Sequence, residues 1–510
     1  MSAGKSGMRR SAGILLRQRG NPRALYLVAR RPELVFFGGY WAFPGGVLDA
    51  EDAELVPPAE AASAGDAAVM RVGAARELFE ETGVLCVRGS IPDAPVLAAL
   101  RQELLGGNTS FGELLARHRL EIDAGRFVPV CWMTTPIFAP VRYETLFFLV
   151  DVDPAETPSI VDGELTAGEF MDAGAVLARW RAGELLIVPP AVLLLGILQH
   201  APGPDPTPGF IEAAHALTAS YARGKIHQVF FTPGVRKLSL YTETLPPATH
   251  TNAYLAGQDP AYLIDPGASK PEEHAKLFEA LDEAIAAGVR LHAVLLTHAH
   301  GDHVRAVPAV VERYGVPVWA HADAVPALAG IASVARALAD GDILPLGTSP
   351  DGQPGWTLQV LYTPGHAHGH LSFRESRYGA ILAGDMISTV STIVIVPPEG
   401  HLGTYLASLR RLRALPSGTL YPAHGPAKRD SHAVIDAYVA HRAERERKVV
   451  GALGAEPRTL DEILPLAYDD VAPEAWPLAR MSLEAGLIKL CEERIALETG
   501  GGYFRISAAG

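Results

Sequence analysis

The stretch Thr297-His298-Ala299-His300-Gly301-Asp302-His303 follows directly on the apolar run Val294-Leu295-Leu296. Three histidines and an aspartate released from the end of a buried strand leave few folds open. Alternation places His298 and His300 on one side of the backbone. Asp302 and His303 turn to a second point nearby. Neutral imidazoles with a carboxylate suit zinc, or iron or manganese in a harder mixed site. A polar, His-rich surface loop is the bland reading, and four ligand-type side chains in the order H-x-H-x-D-H argue against it.

Two metals need more ligands. His366 stands in Leu361-Tyr362-Thr363-Pro364-Gly365-His366, Asp385 closes Ala380-Ile381-Leu382-Ala383-Gly384-Asp385, and His424 sits in Leu420-Tyr421-Pro422-Ala423-His424-Gly425. Each follows a short apolar run, so each is expected at the end of a buried strand, on one edge. This series resembles the metallo-β-lactamase fold, an αββα sandwich, in its glyoxalase-II-like and ribonuclease-like hydrolase branch. The resemblance covers roughly residues 225–440. It implies that His298, His300 and His366 hold one metal, that Asp302, His303 and His424 hold a second, and that Asp385 bridges them. The metals would be two zinc ions, or iron or manganese, with Asp302 and Asp385 flanking the reacting water. It also places Asp265, in Tyr262-Leu263-Ile264-Asp265-Pro266-Gly267, beneath the metals without direct ligation. His368 and His370 read as pocket or supporting residues, and His292 as structural.

A second motif lies upstream. Glu77, Glu80 and Glu81 fall at i, i+3 and i+4 in Arg76-Glu77-Leu78-Phe79-Glu80-Glu81-Thr82-Gly83-Val84, which reads as a helix stopped by Gly83. Three like charges on one face repel one another. A solvated acidic face is the plain reading, and Mg²⁺ or Mn²⁺ carrying a substrate phosphate is the functional one. With Phe43-Pro44-Gly45-Gly46 before it, the stretch resembles the Nudix box. That resemblance implies a Nudix α/β/α sandwich over 10–200, with catalytic Glu77 and Glu81 and with Glu77, Glu80 and Glu81 on the metal. Arg76 stands 30 positions after Gly46 where the box expects 14, an insertion of 16 residues. Eight positions before Arg76 stands Ala68, where the box carries its first glutamate. Branches resembling coenzyme A diphosphatases carry similar insertions.

The 510 residues therefore read as an α/β and α+β multidomain chain. Four prolines in Ala201–Gly209 set a Pro-rich connection at 201–224. After 440 comes a charged, helical stretch, Tyr438 to Lys448, read as a solvated face. A capping box follows at Thr459-Leu460-Asp461-Glu462, then a third helical pattern and a hairpin. This tail, 441–510, resembles the winged helix of lactamase-β-2-like proteins. It carries nine Lys and Arg against twelve Asp and Glu. That balance favours packing or a homodimer over nucleic-acid binding, as does the net charge of −13. Three scattered cysteines fit a reducing, cytoplasmic setting, and no apolar stretch reaches membrane-spanning length. The expectation is a bifunctional hydrolase. One site would cleave an ester, thioester or phosphodiester, and the other a nucleoside diphosphate derivative, a coenzyme A compound among the options. The alternative is an endoribonuclease acting on single-stranded RNA, with the Nudix part a nucleotide-binding regulatory module.

Overall fold

The protein is described from a computed structural model, which covers residues 8–34, 37–137, 139 and 141–505. The chain divides into two compact units, Met1–Lys225 and Ile226–Gly510.

The first unit is built on a mixed sheet in the order Trp41–Ala42, Ala24–Arg30, Arg9–Gln18, Tyr143–Val152, Val128–Thr134. Gly45–Val47 pairs with Arg9–Gln18, and Leu165–Asp172 pairs with Ala24–Arg30. Arg9–Gln18 runs parallel to Tyr143–Val152 over ten pairs, from Arg9 to Gln18. A strand so placed is covered on both faces, which is why Ile14, Leu15 and Leu16 are all buried in succession. One face packs on the helix Asp66–Thr82 through Met70, Ala74, Leu78 and Phe79. That helix stops where Gly83 turns left-handed, at φ 74, with its N–H on the Phe79 carbonyl.

The segment 201–224 is not an open linker. It holds the helix Thr207–Ala222, with Phe210 and Ala214 buried and packed toward Val128–Thr134. Pro208 sits in the first turn, where its missing N–H costs nothing. The prolines therefore mark a helix start rather than forbid a helix.

The second unit opens with seven strands in sequence order, from Gln228–Val229 to Val334–Leu338. A five-stranded sheet follows, from Ile343–Gly347 to Leu420–His424. Between the sheets lies one core, with Tyr254, Tyr262 and Leu295 against Leu358, Phe373 and Tyr421. Outside the first sheet, Pro271–Ala286 and Val307–Tyr314 bury Leu277, Leu281 and Val310. Outside the second, Leu402–Arg413 and Ser431–Ala452 bury Tyr405, Leu409 and Ile435. The result is helix, sheet, sheet, helix.

Helix Ser431–Ala452 runs straight through the expected boundary at 440/441. It is not a solvated face throughout, because Arg442 and Val449 are buried on it. Its last turns join Leu460–Ala467, Trp476–Glu492 and the hairpin Ala496–Thr499/Gly502–Arg505 around Leu483, Leu487 and Ile463. Thr459 and Glu462 close the capping box that starts the second of these helices.

Candidate metal centre

His298 and His300 follow the strand Leu291–Leu295, whose parallel neighbours bury it. The chain then enters the short helix Gly301–Val304, which carries Asp302 and His303. Gly267 lets this turn sit close, since a Cβ there would meet the Asp302 carbonyl oxygen at 1.6 Å. His366 follows Trp356–Tyr362, and His424 ends Leu420–His424. Asp385 differs from expectation. It lies inside the strand Ile381–Ser388, not at its end. Register shifts on either side of Gly384, itself at φ 52, break the ladder there. A bulge of this kind re-aims the side chain that follows.

Seven side chains converge in two groups. His298, His300, His366 and Asp385 each offer a ligand atom within 4.8 Å of the others, and so do Asp302, His303 and His424. The groups abut: Asp385 Oδ1 lies 3.6 Å from His303 Nε2 and 3.3 Å from His424 Nε2, and Asp385 Oδ2 lies 3.4 Å from His366 Nε2.

Each imidazole is held by its other nitrogen. His303 Nδ1 bonds Asp265 Oδ2 at 2.9 Å, and His298 Nδ1 bonds the Thr297 hydroxyl at 2.9 Å. That hydroxyl and the Thr297 N–H donate to Asp265, at 2.6 and 2.8 Å. His366 Nδ1 donates to the Val394 carbonyl, and His424 Nδ1 to the His250 carbonyl. His300 Nε2 faces Glu399 at 3.3 Å. Such outer partners fix the tautomer and aim the free nitrogen inward. His370 is one of them in kind: it is buried, its Nε2 accepts the Asp385 N–H at 3.0 Å, and its Nδ1 lies on Thr363. His368 is exposed, and His292 packs edge-on against Tyr262 and Trp319.

The cluster passes the test for a cation. His298 Nε2, His303 Nε2 and Asp385 Oδ1 are buried and have no hydrogen-bond partner, an arrangement that costs free energy unless something binds there. Burial and the neighbouring imidazoles hold His298 well below its ordinary pKa, so it offers a neutral ligand nitrogen. Burial would also depress His303, but Asp302, Asp385 and Asp265 outweigh it and carry the ring up to about 10. Burial would raise Asp385, and His424, His303 and His366 drive it well below the carboxylate range instead.

In the first unit Glu77, Glu80 and Glu81 share one helix face beside Gly45–Val47. Glu81 accepts the Gly45 N–H at 2.7 Å. Burial raises Glu77 to about 7, with Glu80 adding to the rise, and raises Glu81 to about 8, with Glu77 adding to it. Burial raises Glu80 as well, against the pull of Arg76. Arg76 reaches Glu77 and Glu80 at 3.0 and 3.1 Å and is gripped from behind by Asp52, two bonds of 3.0 Å. Asp52, nearly inaccessible, is the acid that meets Arg76, whereas counting back eight positions from Arg76 finds only Ala68. Ala68 is simply buried. The signal was in the sequence: Asp52 stands six positions after Gly46, as the box's first glutamate does. The insertion falls after it, in Pro58–Ala64 and the first turns of Asp66–Thr82.

Known proteins agree with this geometry in the second unit. The pattern of the metallo-beta-lactamase superfamily matches residues 246–424, and that of a beta-lactamase associated winged helix domain matches 459–503. A lactamase-like protein, vrtG, of Penicillium aethiopicum is 31% identical over 265 residues, covering 49% of this chain and 79% of that protein. The chain belongs to the metallo-beta-lactamase superfamily. It is a metal-dependent hydrolase with a winged-helix tail. An atrochrysone carboxyl ACP thioesterase of Emericella nidulans is 29% identical over 265 residues, covering 50% of this chain and 79% of that one. Among solved structures, the chain is similar to a NUDIX hydrolase from Alicyclobacillus acidocaldarius, at 29% identity and TM-score 0.34. The match covers 38% of this chain and 92% of that one. No helix among the described residues is long and apolar enough to cross a membrane.

Proposed function

We propose that the second unit hydrolyses an acyl thioester at a dinuclear centre. His298, His300 and His366 would hold one ion, Asp302, His303 and His424 the other, and Asp385 would serve both. The observation that carries this is the convergence of seven ligand groups with three buried, unpartnered atoms at their centre. Two divalent ions bound there would polarise the scissile carbonyl and supply a nucleophile at neutral pH. The protein's own part is to place it. Asp302, held by the Thr251 hydroxyl at 3.3 Å, and Asp385 flank the shared space and orient the attacking water. The leaving thiolate needs no acid from the chain, because a thiol ionises near pH 8.5.

Two observations support a thioester over RNA. A relative 29% identical over 265 residues carries the name of a thioesterase. The cleft that reaches His300 and Asp302 is walled largely by apolar residues, among them Leu245, Ile393 and Val471. A backbone-tracking groove would need a row of free cations. In the first unit, Glu77, Glu80 and Glu81 would hold Mg²⁺ or Mn²⁺ and act on a nucleoside diphosphate derivative. The Asp52–Arg76 brace beneath them supports that reading.

The experiment is a substrate panel on the purified protein: acyl thioesters, single-stranded RNA and nucleoside diphosphate derivatives. Thiol release is expected, and chelation and His300→Ala should abolish it together with metal content. RNA cleavage without thiol release would replace this reading with the ribonuclease. Glu81→Gln should remove diphosphate hydrolysis and spare thiol release, since separate residues carry the two reactions.

A further inference from the structure

The cleft that holds the ligand cluster at one end has a volume of about 410 Å³ in all. Its far wall comes from the tail: Tyr468, Val471, Leu478 and Ser482 stand opposite Leu245 and Ile393 of the hydrolase domain. Into this space faces Arg442, from the helix Ser431–Ala452.

Arg442 is only 8% exposed. One guanidinium nitrogen donates to the Ile393 carbonyl, and the group lies 5.4 Å from the centre of the Tyr405 ring. Its Nε is buried with no hydrogen-bond partner. Among the described residues no carboxylate pairs with it. The neighbouring cations differ. Arg445 is held by Asp470, Lys448 by Asp469, and Lys489 by Glu446 and Glu493. A buried guanidinium without a counter-charge is costly. Anchoring the Ile393 carbonyl does not explain that cost, because a neutral donor would do the same. A guanidinium fork does match a carboxylate or a phosphate.

Resting on the thioesterase reading, we infer that Arg442 is the anion-binding residue of the substrate cleft, and that the tail helps to set substrate choice. The anion is either a carboxylate on the acyl group or a phosphate on the thiol carrier. The metal-ligand end of the cleft takes the thioester, and the apolar walls take the chain between.

Paired substrates separate the two sources. Glutaryl and butyryl thioesters of N-acetylcysteamine differ by an acyl carboxylate and hold no phosphate. Butyryl-4′-phosphopantetheine and butyryl-pantetheine differ by the carrier's phosphate. The wild type should prefer the anionic member of one pair by at least about tenfold in kcat/KM. Arg442→Met should collapse that ratio, and Arg442→Lys, which keeps charge without the fork, should fall between. Wild-type ratios near one in both pairs overturn the inference without any variant, as does a ratio that Arg442→Met leaves unchanged. Should no thioester be cleaved, the thioesterase reading fails alone. Calorimetry with glutarate and with inorganic phosphate then decides: binding weakened by Arg442→Met upholds the anion site, and equal binding or none in both proteins overturns it.

Discussion

Asp265 carries more of the metal centre than its position beneath it implies. Its carboxylate takes the Thr297 N–H, the Thr297 hydroxyl and His303 Nδ1, and through Thr297 it fixes His298 as well. Its backbone is left-handed, at φ 52, a conformation that Asn shares. Asp265→Asn therefore tests the carboxylate and spares the turn. Metal affinity should fall by about 10- to 100-fold, as read by competition with a chromophoric chelator, and unchanged affinity would show that His303 needs no orienting carboxylate. Lys237 is a second residue with a measurable cost. Burial between the sheets lowers its pKa from 10.5 to about 7. From pH 7 to 10.5 the unfolded chain binds more protons there than the folded one, so this group makes stability rise with pH across that window. Lys237→Met should abolish that rise, so that the variant's stability relative to the wild type is highest at pH 6 and falls toward pH 10. Denaturant unfolding at the two pH values measures it, and a difference independent of pH would contradict the burial of charge.

At the scale of elements, the first unit depends on how closely one strand approaches one helix. A Cβ at Gly46 would meet the Glu77 carboxylate at 2.5 Å. Gly45, at φ 135, has no room either, because its Cβ would meet the Ala12 carbonyl oxygen at 2.1 Å. The Gly46 contact is with the far end of a flexible side chain, so Gly46→Ala should fold and push Glu77 aside. Thermal protection of the first unit by Mg²⁺ should drop sharply in this variant. Full protection would mean that Glu77 does not hold the ion. In the second unit the corresponding element is the bulge at Gly384. It turns Asp385 between the two groups of histidines, and His370 then pins the Asp385 N–H.

On the scale of the molecule, the two units have separate cores, one around Ile14, Leu78 and Phe148 and the others around Leu295, Phe373 and Leu409. Calorimetry of the full chain should resolve two transitions. A chelator specific for transition metals should lower only the one assigned to the second unit, and Mg²⁺ should raise only the other. A single transition that moves as a whole in both experiments would show one cooperative unit. The tail unfolds with the hydrolase domain in this account, since the helix Ser431–Ala452 belongs to both.

The residues 298–303, with His366, Asp385 and His424, were legible in the sequence because ligand chemistry restricts residue type and each ligand sits beside a strand that must be apolar. Spacing alone also separated His298 and His300 from Asp302 and His303. Position along a strand was less legible: Asp385 reads as a strand end, and only the broken ladder around Gly384 shows that it is not. The acid that grips Arg76 was sought at Ala68 because an insertion shifts every count made across it. Counting forward from Gly46 reaches Asp52 before the insertion, and the fold closes that insertion into helices so that Asp52 still meets Arg76. Prolines at 201–209 marked a break but not its kind, since proline is as much at home in the first turn of a helix as in a linker. Arg442 lay in a run of charges, Arg442-Ala443-Glu444-Arg445-Glu446-Arg447-Lys448, with nothing local to single it out. Its burial and its lack of a carboxylate among the described residues are properties of the packing between the helix Ser431–Ala452, the segment at Ile393 and the tail, and no pattern along the chain encodes them.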